Sequence, residues 1–137
     1  VIYKIMGNPI PLQRPRTSFV RRIVYDPQRK DKEDTITQIK LQHKKKPTYD
    51  GPLHLDITFY MQPPASMSYK KKCFLYKMPH FKKPDLSNLI KWVEDCMEQA
   101  GILANDSRIF SINAKKIYDE YPRTEFILTR EGHEKES

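Results

Sequence analysis

Nine consecutive residues in the middle of the chain leave little freedom of secondary structure: Leu53, Leu55, Ile57, Phe59 and Met61 alternate with His54, Asp56, Thr58 and Tyr60. Successive side chains of a strand point to opposite faces, so this run reads as a half-buried strand with His54 and Asp56 turned away from the apolar side. A second firm element is helical. Leu86, Leu89, Ile90, Val93, Met97 and Ala100 follow a 3.6-residue period, Asp85 stands at the N-cap position and Gly101 is placed to stop the helix. Around these two, the pattern predicts a strand over 2–6 ended by Gly7-Asn8-Pro9, and another over 19–25 that a hairpin would pair with it. A helix over about 30–44 carries a narrow apolar stripe through Ile36, Ile39 and Leu41, which suits a surface position. Past the main helix, Asn105-Asp106-Ser107 leads into a strand through Phe110, Ile112 and Ala114, and Asp119-Glu120-Tyr121-Pro122 turns the chain into a last strand near 124–128. Residues 1–130 therefore read as one α+β domain, a small mixed β-sheet with two main helices, and 131–137 as a polar tail.

Charge narrows the partners. The formal net charge is +8, and its distribution is lopsided: residues 1–84 hold 18 Lys/Arg against 6 Asp/Glu, while residues 85–137 hold 7 against 11. A basic half suits a polyanion such as nucleic acid, or an anionic membrane surface. Cys73 and Cys96 have no metal-ligand spacing, and His43, His54, His80 and His133 are irregularly placed, so reduced thiols are expected and a zinc role is not. No apolar run approaches a membrane span and no charged-then-apolar leader is visible, which makes a soluble, cytoplasmic protein with no membrane partner the expectation.

Two segments look suited to phosphate. Gln13-Arg14-Pro15-Arg16-Thr17 is extended by its proline and carries two guanidiniums; alone it reads as a solvated loop. Residues 62–84 form a long connection in which Lys70, Lys71, Lys72, Lys77, Lys82 and Lys83 interleave with Tyr69, Phe74, Tyr76 and Phe81. Such a segment can lie along nucleic acid and stack on exposed bases, or its aromatics can tuck onto the core of a flexible insertion.

The chemistry concentrates around the main helix. Asp85 as a plain N-cap would accept the amide of Ser87 or Asn88. Its company points further: Lys91 lies about two turns on, and Asp106 follows a short loop that returns the chain toward neighbouring structure. Paired carboxylates in a basic protein fit a nuclease, in which the basic surface holds the phosphate backbone and the acids hold a divalent cation. The two carboxylates are then expected to converge on one ion.

The run Lys83-Pro84-Asp85-Leu86-Ser87-Asn88-Leu89-Ile90-Lys91, followed by Asp95 and, after Gly101-Ile102, by Asp106-Ser107, resembles the signature of the RusA family of Holliday junction resolvases. Gln13-Arg14-Pro15-Arg16 and the lysine-rich loop through His80 to Pro84 resemble the family's looser N-terminal half. The resemblance implies a small mixed α/β domain acting as a homodimer, cleavage of four-way branched DNA dependent on Mg²⁺ (or Mn²⁺), and a frequent home in phages and prophages. It places the catalytic residues at Asp85, Lys91 and Asp106, with Asp85 and Asp106 as metal ligands. Arg14, Arg16, Lys70, Lys71, Lys72, Lys82 and Lys83 would hold the DNA arms. One position departs: a second helix-mouth aspartate of the family falls on Ser87, whose hydroxyl brings no charge to a metal. Asp95 reads as a partner for Lys91, and Asp56 as an acid that could approach if its strand neighbours the helix mouth. Two other readings stand beside this one: a catalytically weakened or inactive junction-binding module of the same fold, and an RNA-binding domain that stacks bases on Tyr69, Phe74, Tyr76 and Phe81.

Overall fold

The computed structural model describes residues 1–13, 16–18, 23–25 and 27–131, with the backbone alone given at 16–18 and 23–25. The alternating run forms strand β4 (Leu53–Met61), and it is the centre of a four-stranded sheet of order β1-β6-β4-β5. Its neighbours are β6 (Arg123–Arg130), antiparallel, and β5 (Ile109–Tyr118), parallel. Strand β1 (Tyr3–Met6) pairs antiparallel with β6, Tyr3 opposite Phe126. A separate hairpin of β2 (Arg16–Ser18) and β3 (Ile23–Tyr25) lies outside this sheet. The pairing expected between the first two strands is thus replaced. Tyr3 and Ile5 join the core by docking beside Phe126 and Thr124, and the later segment closes on its own upstream residues.

One face of the sheet carries the core. Leu53, Leu55, Ile57 and Phe59 are at most 1% exposed, and they pack with Tyr3, Phe126 and Leu128 beneath two helices, α1 (Arg29–His43) and α3 (Leu86–Gln99). Helix α3 supplies Leu89, Trp92, Val93, Cys96 and Met97, each large buried side chain stabilising the fold by about 1.5–3 kcal/mol. Helix α1 contributes Ile39, Thr35 and His43, and the Tyr3 hydroxyl lies 2.7 Å from His43 Nδ1. Burial pushes the Tyr3 phenol well above its ordinary pKa and lifts the Cys96 thiol to about 12, which keeps both neutral. Both cysteines are free, Cys96 buried in the core and Cys73 exposed on the surface.

The parallel pairing of β4 and β5 requires a long crossover, and α3 makes it, running back from the C-terminal end of β4 to the start of β5. Gly101 at φ 78° ends the helix: its N–H donates to Glu98 O and that of Ile102 to Met97 O. The connection over 62–84 is not without regular structure. It holds α2 (Tyr69–Leu75), whose N-terminus is capped by Ser68 Oγ accepting from Lys71 N. None of its residues is buried, so no apolar stripe marks it in the sequence.

Both outer edges of the sheet are partly covered, β5 only along its last residues, 116–118. Residues 77–80 run along β5, with Lys77 N–H donating to Tyr118 O and His80 N–H to Lys116 O. On the far side, the Gln42 amide both accepts from Lys4 N and donates to Lys4 O, and Gln38 accepts from Met6 N. No helix among the described residues is long and apolar enough to cross a membrane.

Candidate functional site

Helix α3 presents two chemically distinct ends. At its mouth, the Asp85 backbone carbonyl accepts from Leu89 N, but its carboxylate makes no capping hydrogen bond and the residue is exposed. The plain N-cap role is therefore not what Asp85 performs. The turn that delivers it is held by Lys116 of β5, whose Nζ donates to Lys82 O and Pro84 O, each at 2.6 Å, across the cis Lys83–Pro84 peptide. Burial lowers the Lys116 pKa, and the Asp85 charge opposes that shift, which puts the two side chains in electrostatic reach of each other. Beside them, the His80 ring packs 4.9 Å from that of Tyr118, and burial, then the Lys116 charge, hold it toward the neutral form.

At the other end, Lys91, Glu94, Asp95, Glu98, Asp106 and Leu12 line a cleft of about 310 Å³. Asp106 opens a short 3-10 turn (Asp106–Arg108), and its N–H donates to Glu98 Oε1 at 2.5 Å. Asn105 caps the turn by accepting from Ser107 N. Glu94 is half-buried here, and its pKa is raised first by burial, then by the charges of Asp106 and Glu98; Lys91 alone pulls it back.

Lys91 and Asp106 thus stand on the walls of one cleft, and Asp85 does not join them. Glu98, which holds the Asp106 amide, lies thirteen residues beyond Asp85, roughly 20 Å along the helix axis. Glu94 is about 13 Å along the same axis. The expected convergence of Asp85 and Asp106 does not occur within one chain, because the length of α3 stands between them: Asp85 lies at its mouth and Asp106 is tied by its amide to Glu98 near its end. Asp95 also differs from expectation: its partners are Lys32 Nζ at 2.9 Å, across the α1–α3 contact, and Gln99. Asp56 is exposed on the sheet face opposite the helices and stays away from both groups.

Among the described residues, no three His, Cys, Asp or Glu side chains stand together as a set that could hold a metal ion. The donor chemistry of the cleft nonetheless fits a hard cation. Mg²⁺ is commonly held by one or two carboxylates, with water and phosphate completing the shell, and crowded carboxylates such as Glu94 and Asp106 are relieved by a divalent charge.

Of the residues expected to face DNA, Lys70 and Lys71 are exposed on α2, Lys72 is half-buried there, and Lys82 and Lys83 are exposed beside the Asp85 mouth. Arg14 and the side chain of Arg16 lie outside the described residues. Ser87 is exposed in the first turn of α3. Two features escape a reading of the sequence. Glu98 is one: Glu94, too far from Asp85 to share an ion with it, falls with Lys91 and Glu98 at three- and four-residue steps on one helix side, a spacing that flags the cleft. Lys116 sits in register with Ala114 and Tyr118 on the inward face of β5, where a lysine is out of place. Lys116→Met should cost about 1–2 kcal/mol by leaving both carbonyls without their donor, read as a lowered midpoint in urea unfolding. An unchanged midpoint would remove Lys116 as the anchor of this turn.

Comparison with known proteins gives a consistent answer. A family model described as Endodeoxyribonuclease RusA matches residues 6–129. A Bacillus subtilis (strain 168) protein, Uncharacterized protein YqaN, is 28% identical over 133 residues, covering 92% of this chain and 93% of its own length. The crossover junction endodeoxyribonuclease rusA of Lactococcus phage r1t is 35% identical over 78 residues, 57% of this chain and 54% of the phage protein.

Proposed function

Since this chain belongs to the RusA endodeoxyribonuclease family, we propose that it is a metal-dependent nuclease that resolves four-way DNA junctions by paired nicks as a homodimer. The observation that carries the reading is the cleft at the Asp106 end of α3, where Lys91 faces crowded carboxylates in a protein of net charge +8. Acid and lysine side chains held together beside a basic surface suit phosphodiester hydrolysis, since developing negative charge needs a nearby cation and the attacking water needs activation.

Asp85 and Asp106 are the proposed ligands of Mg²⁺ or Mn²⁺, with Glu94 beside Asp106 as a further oxygen donor. When bound, the ion supplies Lewis-acid polarisation of the phosphate and a more acidic water. The chain's own residues do the rest. Lys91 offers its ammonium to the phosphate oxygens as charge builds on them, and Lys82 and Lys83 fix the strand near the helix mouth. Because Asp85 and Asp106 mark opposite ends of α3, a site that uses both draws one from each copy of the dimer. A two-fold pair then carries two such sites, matching the symmetry-related strands of a four-way junction.

The second reading, a junction-binding module without activity, is favoured by Ser87, which brings no charge where the family signature has an aspartate. A labelled synthetic junction separates the two. With Mg²⁺ or Mn²⁺ added, the nuclease gives symmetric nicks, whereas the module gives only a retarded complex. In either case the lysine-rich connection should make binding strongly salt-dependent: neutralising six phosphates would cost about 10³-fold in affinity between 50 and 200 mM salt. A flat salt response in the same retardation assay would take the lysines out of the interface.

A further inference from the structure

Beneath α2 lies an apolar pocket of about 320 Å³, lined by Met67, Leu75, Met78, Pro79, Phe81 and Tyr118 among others, which the proposed cleavage chemistry does not use. Phe81 is 84% exposed at its rim and Met78 52%. Open apolar surface of this kind marks a binding site more often than a packing defect, and its surroundings limit what it can bind. The connection over 62–84 has six lysines and no acidic residue, and although Asp119 and Glu120 stand near Tyr76, Lys82 lines the pocket itself, which suits an occupant that is apolar where it enters and anionic where it leaves past Lys82. The pocket also borders the Asp85 mouth, because Lys82 lines it while the Lys82 carbonyl is one of the two acceptors of Lys116.

We infer that this pocket takes one unpaired nucleobase from the branch point, with Phe81 and Met78 against its faces and the surrounding lysines on its flanking phosphates. The inference rests on the junction-nuclease reading and adds to it a means of recognising branching. Bases at a crossover unstack at little cost, whereas a continuous duplex must break a pair and a stack to offer the same group. Selectivity for branched over linear DNA then comes from the ease of extrusion, without readout of base edges. An acyl chain in an anionic membrane has related chemistry, but α2 spans only seven residues and buries none of them, a poor platform for insertion.

The test is an abasic scan. A synthetic four-way junction with a single abasic site, walked through the nucleotides around the branch, is titrated with the full chain without divalent cation. At one symmetry-related position the loss of the base should weaken binding about tenfold, the scale of one base stacked on protein. Phe81→Ala, an exposed substitution that leaves the core intact, should weaken binding to the intact junction by a similar factor and be indifferent to that abasic site. Leu75→Trp, which fills the pocket, should do the same. Tight junction binding with no sensitive abasic position, or with the sensitivity retained in Phe81→Ala, overturns the pocket assignment and leaves the nuclease reading standing. No binding to the intact junction overturns both. Co-sedimentation with phosphatidylserine vesicles that Phe81→Ala abolishes, without any abasic effect, would assign the pocket to lipid instead.

Discussion

Asp85→Asn and Asp106→Asn should each abolish metal-dependent cutting of a four-way junction, by about 10³-fold or more, while both still bind it; mixed and allowed to exchange subunits, the two inactive proteins should regain activity. In a mixed dimer, one site receives both substituted side chains and is dead, while the other receives Asp85 from one protomer and Asp106 from its partner and is whole. The product should be single nicks, without the symmetric pair. This follows from the placement of the two acids: one stands exposed at the N-terminus of α3, and the other is tied through its own amide to Glu98 near the C-terminus. A site built within one chain would leave every species in the mixture inactive, because each chain lacks one ligand. Mixing that restores nothing, from proteins shown to exchange, would therefore remove the shared site. Either single variant cutting at the unmodified rate would remove that residue as a ligand.

Lys91→Ala should slow the chemical step by about 10²–10³-fold in single-turnover kinetics and leave junction affinity nearly unchanged, as for loss of one group that acts on charge in the transition state. A second readout separates this role from a structural one. Lys91 holds the Glu94 carboxyl down against burial and the charges of Asp106 and Glu98. Its removal should push that carboxyl further up, so the acid limb of the remaining activity moves to higher pH. Below that limb Glu94 is protonated and offers a poorer oxygen donor; above it the carboxylate returns. A pure affinity loss, with an unmoved pH profile, would contradict the placement of Lys91 in the chemistry.

What could be read from the sequence was what local periodicity writes. The alternation from Leu53 to Met61 coincides with β4, and the 3.6-residue stripe from Leu86 coincides with α3, because each pattern is fixed by burial on one side. Trp92 and Cys96 complete the buried stripe of that helix. Strand β1 was legible as a strand but its partner was not: Tyr3 meets Phe126 across almost the whole chain, a pairing set by core packing and not by any turn. Helix α2 was missed because it buries nothing, leaving Ser68 as its sole signal. At the candidate site, Lys91 and Asp106 are linked by their spacing from Asp85 and by the family resemblance. The helix between Asp85 and Asp106 already implies their separation, about 20 Å at roughly 1.5 Å per residue, whereas the bond from the Asp106 amide to Glu98 is visible only in the structure. The inward orientation of Lys116, one lysine in a basic strand, is visible only once the register with β4 is known.

The partly stoppered edges of the sheet bear on how two copies can meet. Residues 77–80 cover the end of one margin, at 116–118, and the Gln42 and Gln38 amides bond to Lys4 and Met6 on the other, so a neighbouring strand could add to β5 only along its earlier residues. Runaway annealing of strands is hindered at those two covered stretches. In the proposed dimer, a second copy that approached these covered stretches would meet side chains and loops, a mode of contact that leaves the angle between protomers adjustable.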